Sequence, residues 1–211
     1  PEDFRGCYGV GGIDLSRTTD LTAASIVIKK NGTDYLFTQF FMPENKIDEL
    51  SDRDHIRYRK FVDLGFLTPS GQNFVMYEDV AKWFNMMRDT YQITCCVVGY
   101  DRYSSQYLVD KMQRDGYVMD DVIQGTNLTP IINEFGGFLR DGTVKTGTNG
   151  LLQSHFASVA LKKVANDNRV RPEKVDQRKH IDGFVSVIDA YTVRAKWYEK
   201  YKWLLDCNDD N

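Results

Sequence analysis

The stretch ITCCVVGYD, residues 93–101, is a continuous apolar run that ends in a carboxylate. Its length suits a strand, and a strand without polar alternation is buried on both faces. A sheet holding such a strand needs a covering layer on each side, so the chain must be read for helices that supply them. Upstream, residues 8–15 and 22–30 read as strands. Asn31-Gly32-Thr33 is a hairpin turn signal, and DYLFTQFFM, residues 34–42, alternates as a third strand. The chain is therefore expected to open as a three-stranded meander. A charged excursion follows, with one helix over residues 48–65 stopped by Gly65. YEDVAKWFNMMRDTY, residues 77–91, has helical spacing, with Val80, Trp83, Phe84 and Met87 on one face. After the apolar strand come a helix over 104–116 (capped by Ser104 or Ser105), a short strand over 117–124, helices over 128–142 and 151–167, and a last long helix over 180–205. The order predicts an α/β fold with a mixed sheet, not a doubly wound sheet with a leading βαβ unit.

The chain has 211 residues, 42% of them hydrophobic, which allows one sizeable core. A formal net charge of -3 argues against a strongly basic nucleic-acid binder, although a local basic face remains compatible with it. No run approaches the ~20 apolar residues that span a bilayer, and no signal peptide opens the chain. Pro1 is no natural start, so a fragment or processed product is expected. Cys7, Cys95, Cys96 and Cys207 form no C-x-x-C pair, and the expectation is buried, reduced thiols.

Three carboxylates share a placement. Asp14 ends the first strand, Asp101 ends the apolar strand, and Asp182 begins the last helix. If those two strands are neighbours, Asp14 and Asp101 meet at one sheet edge, and the first turn of the helix can join them. Three converging acids cannot all ionise without a counter-charge. Hard cations such as Mg²⁺ or Mn²⁺ prefer carboxylate and water oxygens, and two of them about 3.5–4 Å apart can drive phosphodiester hydrolysis. Each acid has an ordinary alternative: a strand-end contact to Ser16 or Thr18 for Asp14, a turn for Asp101, a helix-dipole partner for Asp182.

The segments GGIDLSRTTDLTAASIVI, VVGYDRYSSQYLVDKMQRDGY and KHIDGFVSVIDAY resemble, in order and spacing, the nuclease domain of large terminase subunits of tailed phages. The last looks like that family's Lys-x-x-Asp element, and YRKFVDLGFLTPSGQNFV and VIQG also fit. The resemblance implies an RNase H-like fold, a three-stranded antiparallel meander plus parallel strands flanked by helices. It implies a metal-dependent endonuclease that cuts concatemeric phage DNA, with Asp14, Asp101 and Asp182 as the metal-binding acids. It further implies double-stranded DNA, the portal protein, the small terminase subunit and an ATPase motor as partners, in the cytoplasm of the infected bacterium. The motor's phosphate-binding G-x-x-x-x-G-K-[ST] is absent from these 211 residues, so residues 1–211 are expected to be a single C-terminal nuclease domain.

Around the acids, Lys179 lies three residues before Asp182 and is the candidate to stabilise charge developing on a phosphate; the plain alternative is a solvated lysine. His180 is a candidate second group beside the site or a proton carrier, and His155 is expected in the core or on the surface. Asp20, Ser16, Thr18 and Thr19 read as turn residues with a weaker claim as ligands. Arg102 can contact DNA or neutralise the acids. Asp189, two helical turns after Asp182, is expected to pair with Arg or Lys or to face solvent, with a fourth acid as the alternative. LKKVANDNRVRPEKVDQRKH, residues 161–180, is the most basic stretch and the candidate phosphate contact. Two other readings remain: a Holliday-junction-resolvase or integrase-like nuclease, and a non-catalytic docking module. Without a metal the three acids would repel one another, which argues against the module. No base-reading element is present, so little sequence specificity is expected.

Overall fold

A computed structural model describes residues 1–15, 21–102, 106–164 and 168–207. The elements run β1 (Tyr8–Asp14), β2 (Thr22–Lys30), β3 (Thr33–Met42), α1 (Ile47–Asp54), α2 (Tyr58–Asp63), β4 (Leu67–Pro69), α3 (Tyr77–Asp89) and β5 (Thr94–Asp101). They continue with α4 (Gln106–Arg114), β6 (Met119–Val122), α5 (Thr129–Arg140), β7 (Val144–Lys145), α6 (Gly150–Ala157), β8 (Val159–Lys163), β9 (Val170–Lys174), α7 (Asp182–Tyr201) and β10 (Asp206–Cys207). The main sheet has the order β4-β3-β2-β1-β5-β6, with β7 alongside β3 and β10 alongside β2. β1, β2 and β3 are antiparallel, whereas β5 runs parallel to β1 and β6 parallel to β5. This is the expected meander plus parallel strands. Its hairpin turns at Asn31 and Gly32, both at positive φ.

The apolar strand is covered on both faces. On one side α3 and α4 supply Val80, Phe84, Met87, Leu108 and Met112, which pack on Ile13, Ile26, Cys95 and Val98. On the other, α5, α6 and α7 bring Ile132, Phe135, Leu152, Val187 and Tyr191 onto Val10, Val27, Phe40 and Val97. The register of β5 against β1 slips between Gly9 and Gly11, where Cys95 is opposite Gly9 and Val98 opposite Gly11. Two residues, Cys96 and Val97, thus occupy one step, and both join the α7-side core. Side chains alternate along a strand, so one extra residue reverses every face after it. The bulge turns Gly99 and Asp101 toward α7.

That helix sits directly on the sheet. Gly12 and Gly99 face each other across β1 and β5. A Cβ on Gly12 would lie 1.9 Å from the Ser186 carbonyl oxygen and 2.6 Å from the Ala190 nitrogen. A Cβ on Gly99 would lie 2.7 Å from the Asp189 carbonyl oxygen. Beside this contact the hydroxyl of Ser25 meets those of Ser186 and Thr38, each at 2.7 Å, so the buried polar groups satisfy one another.

Four expectations change. The helix over 48–65 breaks at His55, whose φ of 57° is left-handed; its N–H bonds the Ser51 carbonyl, and α2 starts afresh. The helix over 151–167 ends at Ala157. Residues 159–163 instead pair antiparallel with β9, because a hairpin partner is at hand that a linear reading does not see. The helix over 180–205 is confined to 182–201. Cys7 and Cys207 are joined by a disulfide, with Cα atoms 5.7 Å apart, because β10 lies along β2 in line with the start of β1. Cys95 and Cys96 are free and buried as expected.

Replacing Gly12 with alanine is expected to cost about 3 kcal/mol or more, since backbone rather than a movable side chain occupies the space. Gly136→Ala in α5, where the nearest atom is the Arg140 Nη1 at 3.6 Å, is expected to be neutral or stabilising by up to about 1 kcal/mol. Chemical denaturation of both variants checks this, and equal effects would refute the close-approach account.

Candidate active site

The two sheet carboxylates come from one repeated pattern, glycine-x-aspartate, at residues 12–14 and 99–101. Residues two apart share a face of a strand, so each aspartate projects on the side where its glycine admits α7. The parallel register sets Ile13 beside Tyr100, which brings Asp14 and Asp101 out at one level. α7 begins with Asp182 and delivers Asp189 two turns later. The three expected acids therefore come together, with a fourth among them.

The electrostatics record the meeting. Burial, followed by the charges of Asp182, Asp189 and Asp101, pushes the Asp14 carboxyl well above the ordinary carboxylate value, while Lys174 pulls the other way. Asp189 is also pushed well up by burial and by Asp101, against a hydrogen bond that Gln124 Nε2 donates to its Oδ1 at 2.8 Å. The expected Arg or Lys partner of Asp189 is thus replaced by an amide, and the residue is fully buried rather than solvent-facing. The Oδ2 atoms of Asp182 and Asp189 are buried and accept no hydrogen bond. Such orphaned oxygens are costly unless a donor or a cation meets them. Among the described residues, no three His, Cys, Asp or Glu side chains are already closed around one point as a ligand cage; the acids form an electrostatic cluster.

Imidazoles flank Asp182. His155 Nδ1 lies 3.9 Å and His180 Nδ1 3.5 Å from its Oδ2. His155 Nδ1 accepts the Gly183 N–H at 3.0 Å, and burial pushes its pKa down to about 4, so the ring is neutral. For His180 burial works against the charged form, but Asp182 and Asp54 outweigh it and hold its pKa above the usual histidine value. Burial would raise Asp182, yet His180 leads the groups that hold it below the usual range.

Lys174, on β9, is a cation whose charge acts on both Asp14 and Asp182. Lys179 acts on Asp176, whose carbonyl accepts its N–H at 2.9 Å. Lys174, Asp54 and Gln124 were missed by sequence reasoning. Lys174 was visible only as one of many charges in a basic stretch, and neither Asp54 nor Gln124 carries a local signal. Arg102 pairs with Asp121 on β6, with Nη2 and Oδ2 2.7 Å apart. On the basic hairpin, Glu173 meets Lys162 and Arg171. Asp20, Ser16, Thr18 and Thr19 lie outside the described residues, as do Ser104 and Ser105.

Comparison with known proteins bears on the same chain. The family model described as terminase large subunit, endonuclease domain, matches residues 1–198. The terminase large subunit of Lactococcus phage p2 is 29% identical over 127 residues, covering 54% of this chain and 24% of that protein. The chain thus spans about a quarter of the length of that curated relative. The crystal structure of the HK97 bacteriophage large terminase aligns with a TM-score of 0.79 at 22% identity, over 90% of this chain and 40% of that one. The large terminase nuclease from thermophilic phage G20c with bound magnesium aligns at 0.55 and 12% identity, over 88% and 80%. At these identities the structural likeness speaks to the fold, which is RNase H-like as expected.

Asp14 and Asp189 have folded-state pKa values above their unfolded ones, so each holds more protons folded than unfolded in between. Their contribution to stability therefore falls as pH rises through that window. In EDTA at pH 8, Asp189→Asn is expected to raise the thermal midpoint by a few degrees, on the order of 1 kcal/mol. The advantage should fade toward pH 4, where both proteins carry a neutral group. A midpoint unchanged at pH 8 would remove Asp189 from the cluster.

Proposed function

The chain belongs to the family of terminase large subunit endonuclease domains, and from that premise we propose that it is a metal-dependent DNA endonuclease. Its reaction is two-metal-ion hydrolysis of concatemeric phage DNA during genome packaging, with little sequence specificity. The observation that carries this reading is the convergence of four carboxylates, Asp189 buried and Asp14, Asp101 and Asp182 half-buried, two of them with an orphaned oxygen. A polar cluster that repels itself is poorly explained as structure, and divalent cations meet its need. The G20c nuclease, of the same fold, has been solved with bound magnesium.

Asp14, Asp101 and Asp182 would hold the ions, Mg²⁺ or Mn²⁺. Bound there, the ions would supply Lewis-acid stabilisation of the phosphodiester and a strong nucleophile from water at neutral pH. The protein's own part is to fix three acids from rigid elements and to present positive charge to the phosphate. Lys179 was the sequence candidate for that charge; Lys174 has better support, since its field reaches Asp14 and Asp182. The β8–β9 hairpin carries Lys162, Lys163 and Arg171 and ends at Lys174, so it is the element to hold the DNA backbone near the acids.

The unit would act as the C-terminal nuclease of a longer protein, beside an ATPase motor, with the portal and the small terminase subunit choosing where it cuts. It would do so in the cytoplasm of the infected bacterium; among the described residues no helix is long and apolar enough to cross a membrane.

Supercoiled plasmid incubated with the protein should be nicked and linearised with Mg²⁺ or Mn²⁺ and left intact in EDTA. Asp101→Asn should slow cutting by a factor of about 100 or more, on the scale of losing one preorganised charge in a reaction centre. Wild-type cutting by that variant would defeat the assignment. Lys163→Ala should weaken binding to duplexes of unrelated sequence alike and flatten the dependence of log K on log salt by roughly 0.9. A change confined to one sequence would point to base reading instead.

A further inference from the structure

Asp54 is the most completely enclosed carboxylate in the charged excursion, with none of its side chain exposed. Arg53 Nε donates to its Oδ1 at 2.6 Å, while Arg53 Nη2 and the Tyr58 hydroxyl donate to its Oδ2 at 3.1 and 3.0 Å. His180 Nε2 lies 2.9 Å from the same Oδ2. Two groups from the α1–α2 corner thus fix that oxygen, and it faces a ring 126 residues later in the chain. The corner exists because His55 turns left-handed and brings Tyr58 back over Asp54.

The far side of the ring faces the cluster. His180 Nδ1 and Asp182 Oδ2 are both buried without a hydrogen-bond partner, and they are 3.5 Å apart. Arg53 Nη2 also lies 3.1 Å from His180 Nε2, so Arg53 and Asp54 together hold the ring with Nδ1 facing Asp182. A movement of about half an ångström closes the pair to hydrogen-bond length. Asp54, His180 and Asp182 therefore stand in one line, from a helix outside the RNase H-like sheet to an acid of the site.

We propose that Asp54 is a positioning residue for the acid cluster: through the ring of His180 it fixes the carboxylate of Asp182 in the orientation a divalent cation needs. The proposal rests on the metal-dependent reading above. The physical reason is the one that governs ligands generally. A carboxylate has two oxygens and a rotatable stem, and a partner behind it removes the orientations that do not bind. Losing such a partner weakens metal binding by about 10–100-fold without removing a ligand.

The test is Mn²⁺ titration calorimetry on the whole chain, with far-ultraviolet circular dichroism to confirm folding. His180→Gln, whose amide cannot reach both carboxylates, should bind Mn²⁺ about 10-fold more weakly. Asp54→Ala should do the same, and the double variant should lose no more than the worse single one, because both act along one path. Asp54→Asn, which keeps an acceptor for His180, should stay within about 3-fold of wild type. A general loosening of the fold would make the losses additive and would give no rescue by asparagine. Asp54→Ala strands the Tyr58 hydroxyl and can fail to fold; His180→Gln and Asp54→Asn then decide the matter. Wild-type affinity in folded His180→Gln, while Asp101→Asn binds poorly, overturns this inference alone. No Mn²⁺ binding by the wild type overturns the metal-dependent reading and this inference with it.

Discussion

The structure depends on how closely α7 approaches the sheet. Two glycines facing each other on adjacent parallel strands leave no Cβ where the helix backbone passes, so helix and sheet meet at main-chain distance. That contact sets the height of Asp182 and Asp189 above the strands. The aspartates two residues beyond each glycine then share the same space, because a strand repeats its face every second residue. The bulge at Cys96 and Val97 is the complement of this arrangement. Without the extra residue Asp101 would face α3 and α4, toward the apolar cluster of Phe84, Leu108 and Met112.

Bringing four acids together works against folding. Burial and mutual repulsion favour the neutral forms of Asp14 and Asp189, and a neutral carboxyl is a poor cation ligand. The surrounding charges divide the task. Asp182 is kept ionised by His180, which is itself held by Asp54. Lys174 offsets part of the charge at Asp14 and Asp182 from the hairpin side. The cluster is thus graded, with Asp182 kept ionised and Asp14 and Asp189 driven toward their neutral forms. Elsewhere the ion pairs are ordinary. Most link exposed side chains, such as Arg59 with Asp48 and Glu44, and contribute little to stability.

Much of this was legible along the chain. The meander, the doubly buried strand and the order of α3, β5, α4 and β6 follow from hydrophobic period and turn residues, because those signals act within a few positions. The three acids were legible as strand and helix ends. One feature was in view and went unread, and a second was read only as the lesser alternative. The repeated Gly-x-Asp announces a close approach followed by an acid on the same face. Asp189 is a carboxylate on the buried side of an apolar helix, where a polar contact to Arg or Lys is the usual expectation. The break at His55 and the β8–β9 hairpin were misread as helix. In both places the residues tolerate a helix, and a distant partner decided otherwise.

The sequence by itself determined which residues form strands and helices, that the sheet is covered on both faces, and which three carboxylates stand at element ends. These are consequences of local sterics and of the periods at which apolar side chains recur. Only the tertiary structure decided which face Asp101 takes, that Asp189 and Lys174 join the cluster, and that Asp54 stands behind Asp182. A one-residue bulge, a helix resting on two glycines and a corner folded back from 126 residues away are relations between segments. No window of sequence holds both partners, and the energy that fixes each arrangement appears only when the partners meet.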